Sequence, residues 1–485
     1  MHGDEANQAV RAGMLMDQGV YHYDPSDHHG PTLYYAALPF CRATASRFPE
    51  TTEWNFRLVP VCFAVLTMLW MWLLAKGHDT EVVQGETDPT GRHVWQCGIL
   101  FALLFFAVSP AFVYYNRFFI QESLLVCFLT GMFWTARLWC RTRRVAAAVA
   151  FGVFAGLCMT TKETFVLSFT AAFLAVVLNL LPRSARPGDG FWRAFGKATA
   201  VAALAAAFVF VLFYSSFFTY WQGVKDALFS TVGTYFHRAT GVPEHQHPWW
   251  FYLQTVFWFK YGRGPLFSEA FLFPFAILAG IYAFRSPRRF ALRFLLLYTV
   301  ILTVLYSLIP YKTPWCALTF LHGWILLAGI GVAVCFHTRT TAAVGIILAL
   351  ALASWHGTQS VRAAFRYSAD PRNPYVYAHT GGDCLRLVEE IERCAAKANG
   401  FDTPIAFGVQ PSDTWPLPWY LRRYRHVGYW TNAQEIPLQF SPSLLVVGAD
   451  QGEIAAARFG EGKESSFYGV RPGTLVILFT PKENE

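Results

Sequence analysis

The sequence predicts a polytopic α-helical membrane protein that ends in a small α/β domain outside the membrane. Apolar runs of roughly 17 to 20 residues recur from near Leu58 onward, long enough to cross a hydrocarbon core. Charged residues make up only 14% of the 485, against about 25% in an ordinary soluble chain. After Trp355 the pattern changes to a helical stretch and short apolar runs separated by Pro and Gly.

Ten membrane helices are expected, near residues 58–75, 96–113, 122–140, 145–160, 164–181, 198–217, 266–284, 291–309, 315–335 and 340–355. Five basic connections fall on one side of this count. They hold Lys76 and Arg92; Arg137, Arg141, Arg143 and Arg144; Arg183, Arg186, Arg193 and Lys197; Arg285, Arg288, Arg289 and Arg293; and Arg339. The positive-inside rule makes that side cytoplasmic. The opposite side then holds a first external loop (1–57), the turns at 114–121, 160–163 and 311–314, the 218–265 loop and an extracytoplasmic domain (356–485), with the transmembrane domain at 58–355. The expected location is the inner (plasma) membrane, multi-pass. An exported first segment needs something to carry it across, and Met1 leads straight into His-Gly-Asp-Glu. The expectation is therefore a further helix upstream of Met1, giving eleven spans.

The tail is expected to carry a helix at 383–398 and strands at 405–409, 444–447 and 475–479. At about 130 residues it is long enough for its own core. Seven of the ten cysteines lie in or at the ends of apolar runs. Cys384 and Cys394 share one expected helix, where ten residues span about 15 Å, too far to pair. No disulfide framework and no metal-type CxxC is expected. The formal charge of +8 sits in short loops between apolar runs, which encodes topology and argues against nucleic acid as a partner.

The candidate chemistry lies on the external side. Asp4-Glu5 precedes an amphipathic stretch (Ala9, Val10, Met14, Leu15), and Asp4 is placed to act as a general base. A helix cap or a solvated pair is the competing reading. Tyr21-His22-Tyr23-Asp24-Pro25 and Asp27-His28-His29-Gly30-Pro31 form an aromatic, His-rich loop. Its imidazoles and carboxylates are compatible with a divalent metal, but the spacing matches no strong ligand pattern, and a hydrogen-bonding role competes. Arg117 and Glu122 flank one turn, and Lys162-Glu163 sits in a turn too short to reach far into water. Charges held this near a bilayer are costly and are usually kept for a purpose, either chemistry or pairing with each other. Lys312-Thr313-Pro314-Trp315 opens another span at the same face, and Arg238, His245, His247, Lys260 and Arg263 crowd the 218–265 loop. Cations converging on the side opposite the basic loops suit a phosphate at headgroup depth.

These segments, in this order, resemble the GT-C class of integral-membrane glycosyltransferases, in the protein-mannosyltransferase-like and aminoarabinose-transferase-like branch. Within it the chain looks like the prokaryotic flippase-activity-associated group. The carriers are MHGDEANQAVRAGML, YHYDPSDHHGPTLYY, SPAFVYYNRFFIQES, TKET, YKTPW, NPYVYAHT and WPLPWYLRRY. The resemblance implies that the acidic pair holds the catalytic base, at Asp4 beside Glu5. A His-Pro-Pro-like element falls on His29-Gly30-Pro31, with Gly at the first Pro. The second external acid falls on Glu122, where relatives often carry Asp. A helix ahead of the acidic pair is implied as well.

The resemblance further implies a polyprenyl-phosphate-linked sugar as donor and a protein, lipid or glycan as acceptor. One base and no covalent intermediate would invert the anomeric centre. The departing lipid phosphate is already a stable anion, so the site needs cations more than a general acid. Arg117, Lys162 and Lys312 are the first candidates; His29, Glu163, Arg238 and His247 are further substrate-binding candidates. Trp415, Trp419 and Tyr420 of the tail are read either as sugar-stacking rings or as core. The rival reading is a transporter or flippase accessory protein for lipid-linked sugars. It expects charges in mid-span and broken helices, whereas the spans read largely charge-free.

Overall fold

A computed structural model describes residues 1–25, 29–76, 89–181, 189–229, 233, 245–285, 289–377 and 379–482. The chain divides into two compact units. A span unit comprises Val20–Ala36 and Arg57–Tyr375, and a sheet unit comprises Met1–Gly19, Ala37–Phe56 and Val376–Glu485.

Among the described residues, seven helices are long and apolar enough to cross a membrane, and three shorter apolar helices accompany them. In chain order, after α1 (Gly3–Gln18) and α2 (Thr32–Arg42), they are α3 (Glu53–Lys76), α4 (Pro89–Val108), α6 (Glu122–Thr142), α7 (Val145–Met159), α8 (Phe165–Leu180), α9 (Asp189–Tyr214), α10 (Phe273–Phe284, with a leading 3₁₀ turn from Ala270), α11 (Phe290–Leu308), α12 (Ala317–Val334) and α13 (Arg339–Val361). Each corresponds to one expected span. The chain is a multi-pass membrane protein.

Several boundaries differ from the sequence reading: α3, α4 and α9 begin five to nine residues earlier than expected, at Glu53, Pro89 and Asp189, and two differences near the external end matter more. The apolar run at 96–113 is not one helix. It stops at Val108, and α5 (Pro110–Tyr115) restarts after Ser109. Pro110 cannot donate to the ladder and disfavours helical geometry at Ser109. The freed Val108 carbonyl accepts a hydrogen bond from Ser360 Oγ at 2.7 Å. The last span runs past Trp355 to Val361 and through a π-helical turn at Arg362–Arg366.

Helix α12 is the centre of the span unit, with sixteen of its eighteen residues buried. A helix apolar all round belongs inside. It meets α4 where Gly98 faces Gly329: a Cβ on Gly329 would lie 2.3 Å from the Gly98 carbonyl oxygen. Small residues let two spans approach closely, where packing rather than water drives association.

The sheet unit holds a five-stranded sheet of order β2-β1-β3-β5-β4, from β1 (Ile405–Gly408), β2 (Val427–Trp430), β3 (Leu444–Gly448), β4 (Lys463–Arg471) and β5 (Thr474–Pro481). β1 pairs parallel with β2 and β3, while β5 pairs antiparallel with β3 and β4. One face packs Ile405, Phe407, Leu444, Val446, Val476 and Leu478 under α14 (Gly382–Lys397). That helix turns Cys384, Leu387, Val388, Ile391 and Ala395 inward at helical spacing. The opposite face packs Ala406, Leu445, Val447, Ile477 and Phe479 against Ala455 and Phe459 of the helix Gly452–Phe459. All ten cysteines are free.

Helix α1 belongs to the sheet unit. Its buried side carries Ala6, Ala9, Ala12, Gly13 and Met16, with Leu15, while Met14 is exposed and Val10 half-buried. Of the expected amphipathic stretch, Ala9 and Leu15 are buried, and Val10 and Met14 are not. Trp419 is buried core, packed on Phe48 and Phe56 with the Arg422 guanidinium 3.7 Å above its ring.

Candidate active site

The acidic pair opens α1, and its two members have different surroundings. His2 is the N-cap, and its Nδ1 accepts the Asp4 amide at 3.1 Å. Glu5 Oε2 accepts the His2 amide at 3.0 Å, which completes a capping box. Glu5 is fully buried in this role, whereas the Asp4 side chain is 55% exposed. Among the described residues, the one basic group within ion-pair reach of the Asp4 carboxylate is the His2 ring, at 3.8 Å.

In the span unit, three turns meet at one end of the helices. Glu122 starts α6, Lys162 lies in the turn between α7 and α8, and Thr313 and Cys316 lie in the turn leading into α12. The Lys162 ammonium pairs directly with Glu122, both side chains buried, and also lies 3.7 Å from Cys316 Sγ. Cys316 Sγ is in turn 3.2 Å from Thr313 Oγ1. Burial works against the charged amine of Lys162. Cys316, Glu122 and Glu163 work for it and prevail, so its pKa lies well above the ordinary lysine value.

The same turn seats the His29-Gly30-Pro31 segment. His29 Nδ1 is 3.0 Å from Glu163 Oε2. The Gly30 amide donates to the Thr161 carbonyl at 3.2 Å, and the Thr32 amide and hydroxyl both donate to the Thr160 carbonyl, at 3.1 and 2.8 Å. A Cβ on Gly30 would fall 2.0 Å from the Thr160 carbonyl oxygen. This backbone-on-backbone approach explains Gly where the resembled element has Pro.

Lys312 is buried differently. Its Nζ donates to the His247 carbonyl at 3.0 Å and to the Ile309 carbonyl. Among the described residues, no carboxylate lies within ion-pair reach of it. Burial lowers its pKa. The turn is pinned to the 245–247 segment by the Lys312 amide to the His245 carbonyl and the His247 amide to the Pro310 carbonyl, both at 3.0 Å. Burial, then the positive fields of His245 and Lys312, lowers the His247 pKa. Arg117 donates to the Ala364 carbonyl at 3.1 Å and lies over the Phe365 ring. Arg238 lies outside the described residues, as do Asp27, His28, Arg183, Arg186 and Arg288. Among the described residues, no group of three or more His, Cys, Asp and Glu side chains gathers in a metal-holding arrangement.

A further acid escapes a reading of the sequence. Glu269 is fully buried just before the 3₁₀ turn that starts at Ala270. Its Oε1 accepts from Ser109 Oγ at 2.7 Å and from the Ala111 amide at 3.3 Å. Its Oε2 has no hydrogen-bond partner among the described residues and lies 3.7 Å from His356 Nδ1. Burial raises its pKa to about 7, offset in part by the Ser109 and Ala111 hydrogen bonds. A lone Glu in a Phe-rich stretch carries no motif, and the break at Ser109-Pro110 that it meets itself reads in the sequence as the interior of a continuous span.

No protein-family profile and no curated protein matches the chain. Solved structures do. ArnT from Cupriavidus metallidurans bound to undecaprenyl phosphate superposes with a TM-score of 0.66 at 14% identity, over 99% of this chain and 94% of that one. The Archaeoglobus fulgidus oligosaccharyltransferase, tethered to an acceptor peptide with an NVT sequon, gives 0.57 at 12% identity over 99% and 72%. The archaeal oligosaccharyltransferase AglB from the same organism, with an inhibitory peptide and a dolichol phosphate, gives 0.57 at 12% over 99% and 70%. The chain has the GT-C membrane fold that these structures share.

Proposed function

We propose that this chain is a membrane glycosyltransferase that moves a sugar from a polyprenyl-phosphate donor to an acceptor hydroxyl on the extracytoplasmic face, with inversion and with Asp4 as general base. The observation that carries this reading is the exposed Asp4 carboxylate on a fully capped helix start, in a chain whose fold matches a structure bound to undecaprenyl phosphate. A base must keep a lone pair available for the incoming proton. The capping box leaves Asp4 that freedom and commits Glu5 to the backbone.

The acceptor O–H gives its proton to Asp4 as its oxygen bonds to the anomeric carbon. The bond from that carbon to the phosphate oxygen breaks, and polyprenyl phosphate leaves as an anion. Lys312 is the favoured phosphate partner, because its buried ammonium has carbonyls and, among the described residues, no carboxylate around it. An anion there would complete the charge. Lys162 already has Glu122, and its role is to hold the three turns together with Glu163 and His29. Arg117 and His247 remain candidates for the donor's phosphate or sugar, and Arg238 for the same loop. Nothing in this scheme requires a divalent metal, and a metal-assisted variant is tested by chelation.

The test is mass spectrometry of glycolipids and glycoproteins in a deletion strain beside the wild type. The strain should lose one glycosylated product and accumulate its polyprenyl-phosphate sugar. Wild-type chain should restore the product and Asp4→Asn, inserted and folded equally well, should not. Full restoration by Asp4→Asn refutes the base.

A further inference from the structure

We propose that His2 is a positioning residue for Asp4, keeping the acid's lone pairs out of the helix cap. The inference rests on Asp4 being the base. It starts from the imidazole's two bonds. His2 Nε2 lies 2.8 Å from the Tyr377 carbonyl, which can only accept, so Nε2 carries the proton. Nδ1 is then unprotonated and accepts the Asp4 amide. The Tyr377 carbonyl thus selects the one tautomer that can cap this helix. His379 closes the other side of the ring, with centroids 4.5 Å apart.

The consequence follows from what Asp does when no cap is supplied. Asp is among the strongest N-cap residues, because its short carboxylate reaches the amides two and three positions on. Histidine is not a usual choice for that position. Without the His2 acceptor, α1 can restart two residues later with Asp4 as its own N-cap. An Asp4 oxygen would then accept a backbone amide, and its proton-accepting capacity would be spent on the fold. Glu5, buried and bonded to the His2 amide, holds the present register from the other side.

The experiment uses the full chain in its host's membranes, which hold the acceptor, and reads release of undecaprenyl phosphate from a panel of undecaprenyl-phosphate-linked hexoses and pentoses. His2→Ala should lower kcat at least about tenfold, a fraction of the 10²–10⁴ typical of a general base, with the donor KM unchanged. Its melting temperature should stay near wild type, since Asp4 takes over the cap. His2→Asn returns an acceptor to the Asp4 amide and should recover most of the turnover. A His2→Ala chain with wild-type kcat overturns the proposal, and so does a folded His2→Asn chain as slow as His2→Ala. Asp4→Asn is the separate control. If it is active, the base assignment has failed; if it is inactive while His2→Ala is fully active, only the role of His2 has failed.

Discussion

Asp4 and Glu122 are both carboxylates in the first turn of a helix, and their surroundings give them opposite characters. The Asp4 side chain is 55% exposed on a start already capped by His2 and Glu5. The Glu122 side chain is buried and neutralised by Lys162. A carboxylate paired in a low-dielectric setting is expensive to disturb and has little capacity left for a travelling proton. One whose neighbours satisfy the backbone for it keeps that capacity. The position of an acid on a helix says little; the groups which relieve it of structural duty say much.

Neutralising each acid, or its partner, should separate the two roles. Asp4→Asn should cut transfer by about 10²–10⁴-fold with the melting temperature unchanged, read as product formation by complemented membranes. Lys162→Met should do the reverse of that pattern. Leaving Glu122 as a buried, uncompensated charge should cost about 3–5 kcal/mol, seen as a large drop in thermal stability in detergent. Adding Glu122→Gln should recover much of it. If Lys162→Met is as stable as wild type, the pair is not structural.

A smaller effect is expected at the crossing beneath His29. Gly30→Ala puts a methyl into the Thr160 carbonyl and should cost about 1–3 kcal/mol as the segment lifts from its turn. A chain with Gly30→Ala of wild-type stability would mean that the close approach is relaxed in solution. The mildest expectation concerns Glu269, whose pKa in the fold is raised to about 7 by burial. A raised carboxyl favours the folded state at low pH and loses that contribution as pH climbs through about 7. Glu269→Gln should therefore melt higher than wild type at pH 8, with the gap closing toward pH 5. A constant gap across that range would exclude titration of this acid.

Much of this architecture was legible because membranes impose long apolar runs and the central strands of the sheet are covered on both faces. The runs at 405–409, 444–447 and 475–479 correspond to β1, β3 and β5, whose residues alternate between two buried layers and so read as continuous apolar stretches. The edge strands escaped for the same reason inverted. β2 (Val427–Trp430) is short and only half-buried, most of β4 (Lys463–Arg471) faces solvent, and a stretch such as Lys463-Glu464-Ser465-Ser466 has no apolar signal to find. Of the candidate site, Glu122 and Lys162 were legible as charged residues at span ends, whereas Cys316 read only as one more cysteine of an apolar run. What sequence could not reveal was how partners are shared out. Glu5 closes a cap, Lys162 chooses Glu122 over Glu163, and Glu163 is left for His29. Those choices depend on contacts between residues distant along the chain.

The break at Ser109-Pro110 has a mechanical consequence. Ser360 bonds to Val108, Ser109 and Ala111 to Glu269, and Gln359 bridges the Ser268 amide and carbonyl at 2.6 and 3.2 Å. Three stretches far apart in the chain are stitched into one rigid knuckle by polar side chains inside an otherwise greasy bundle. If the final span tilts during turnover, the interrupted fourth helix and the segment ahead of α10 must travel with it.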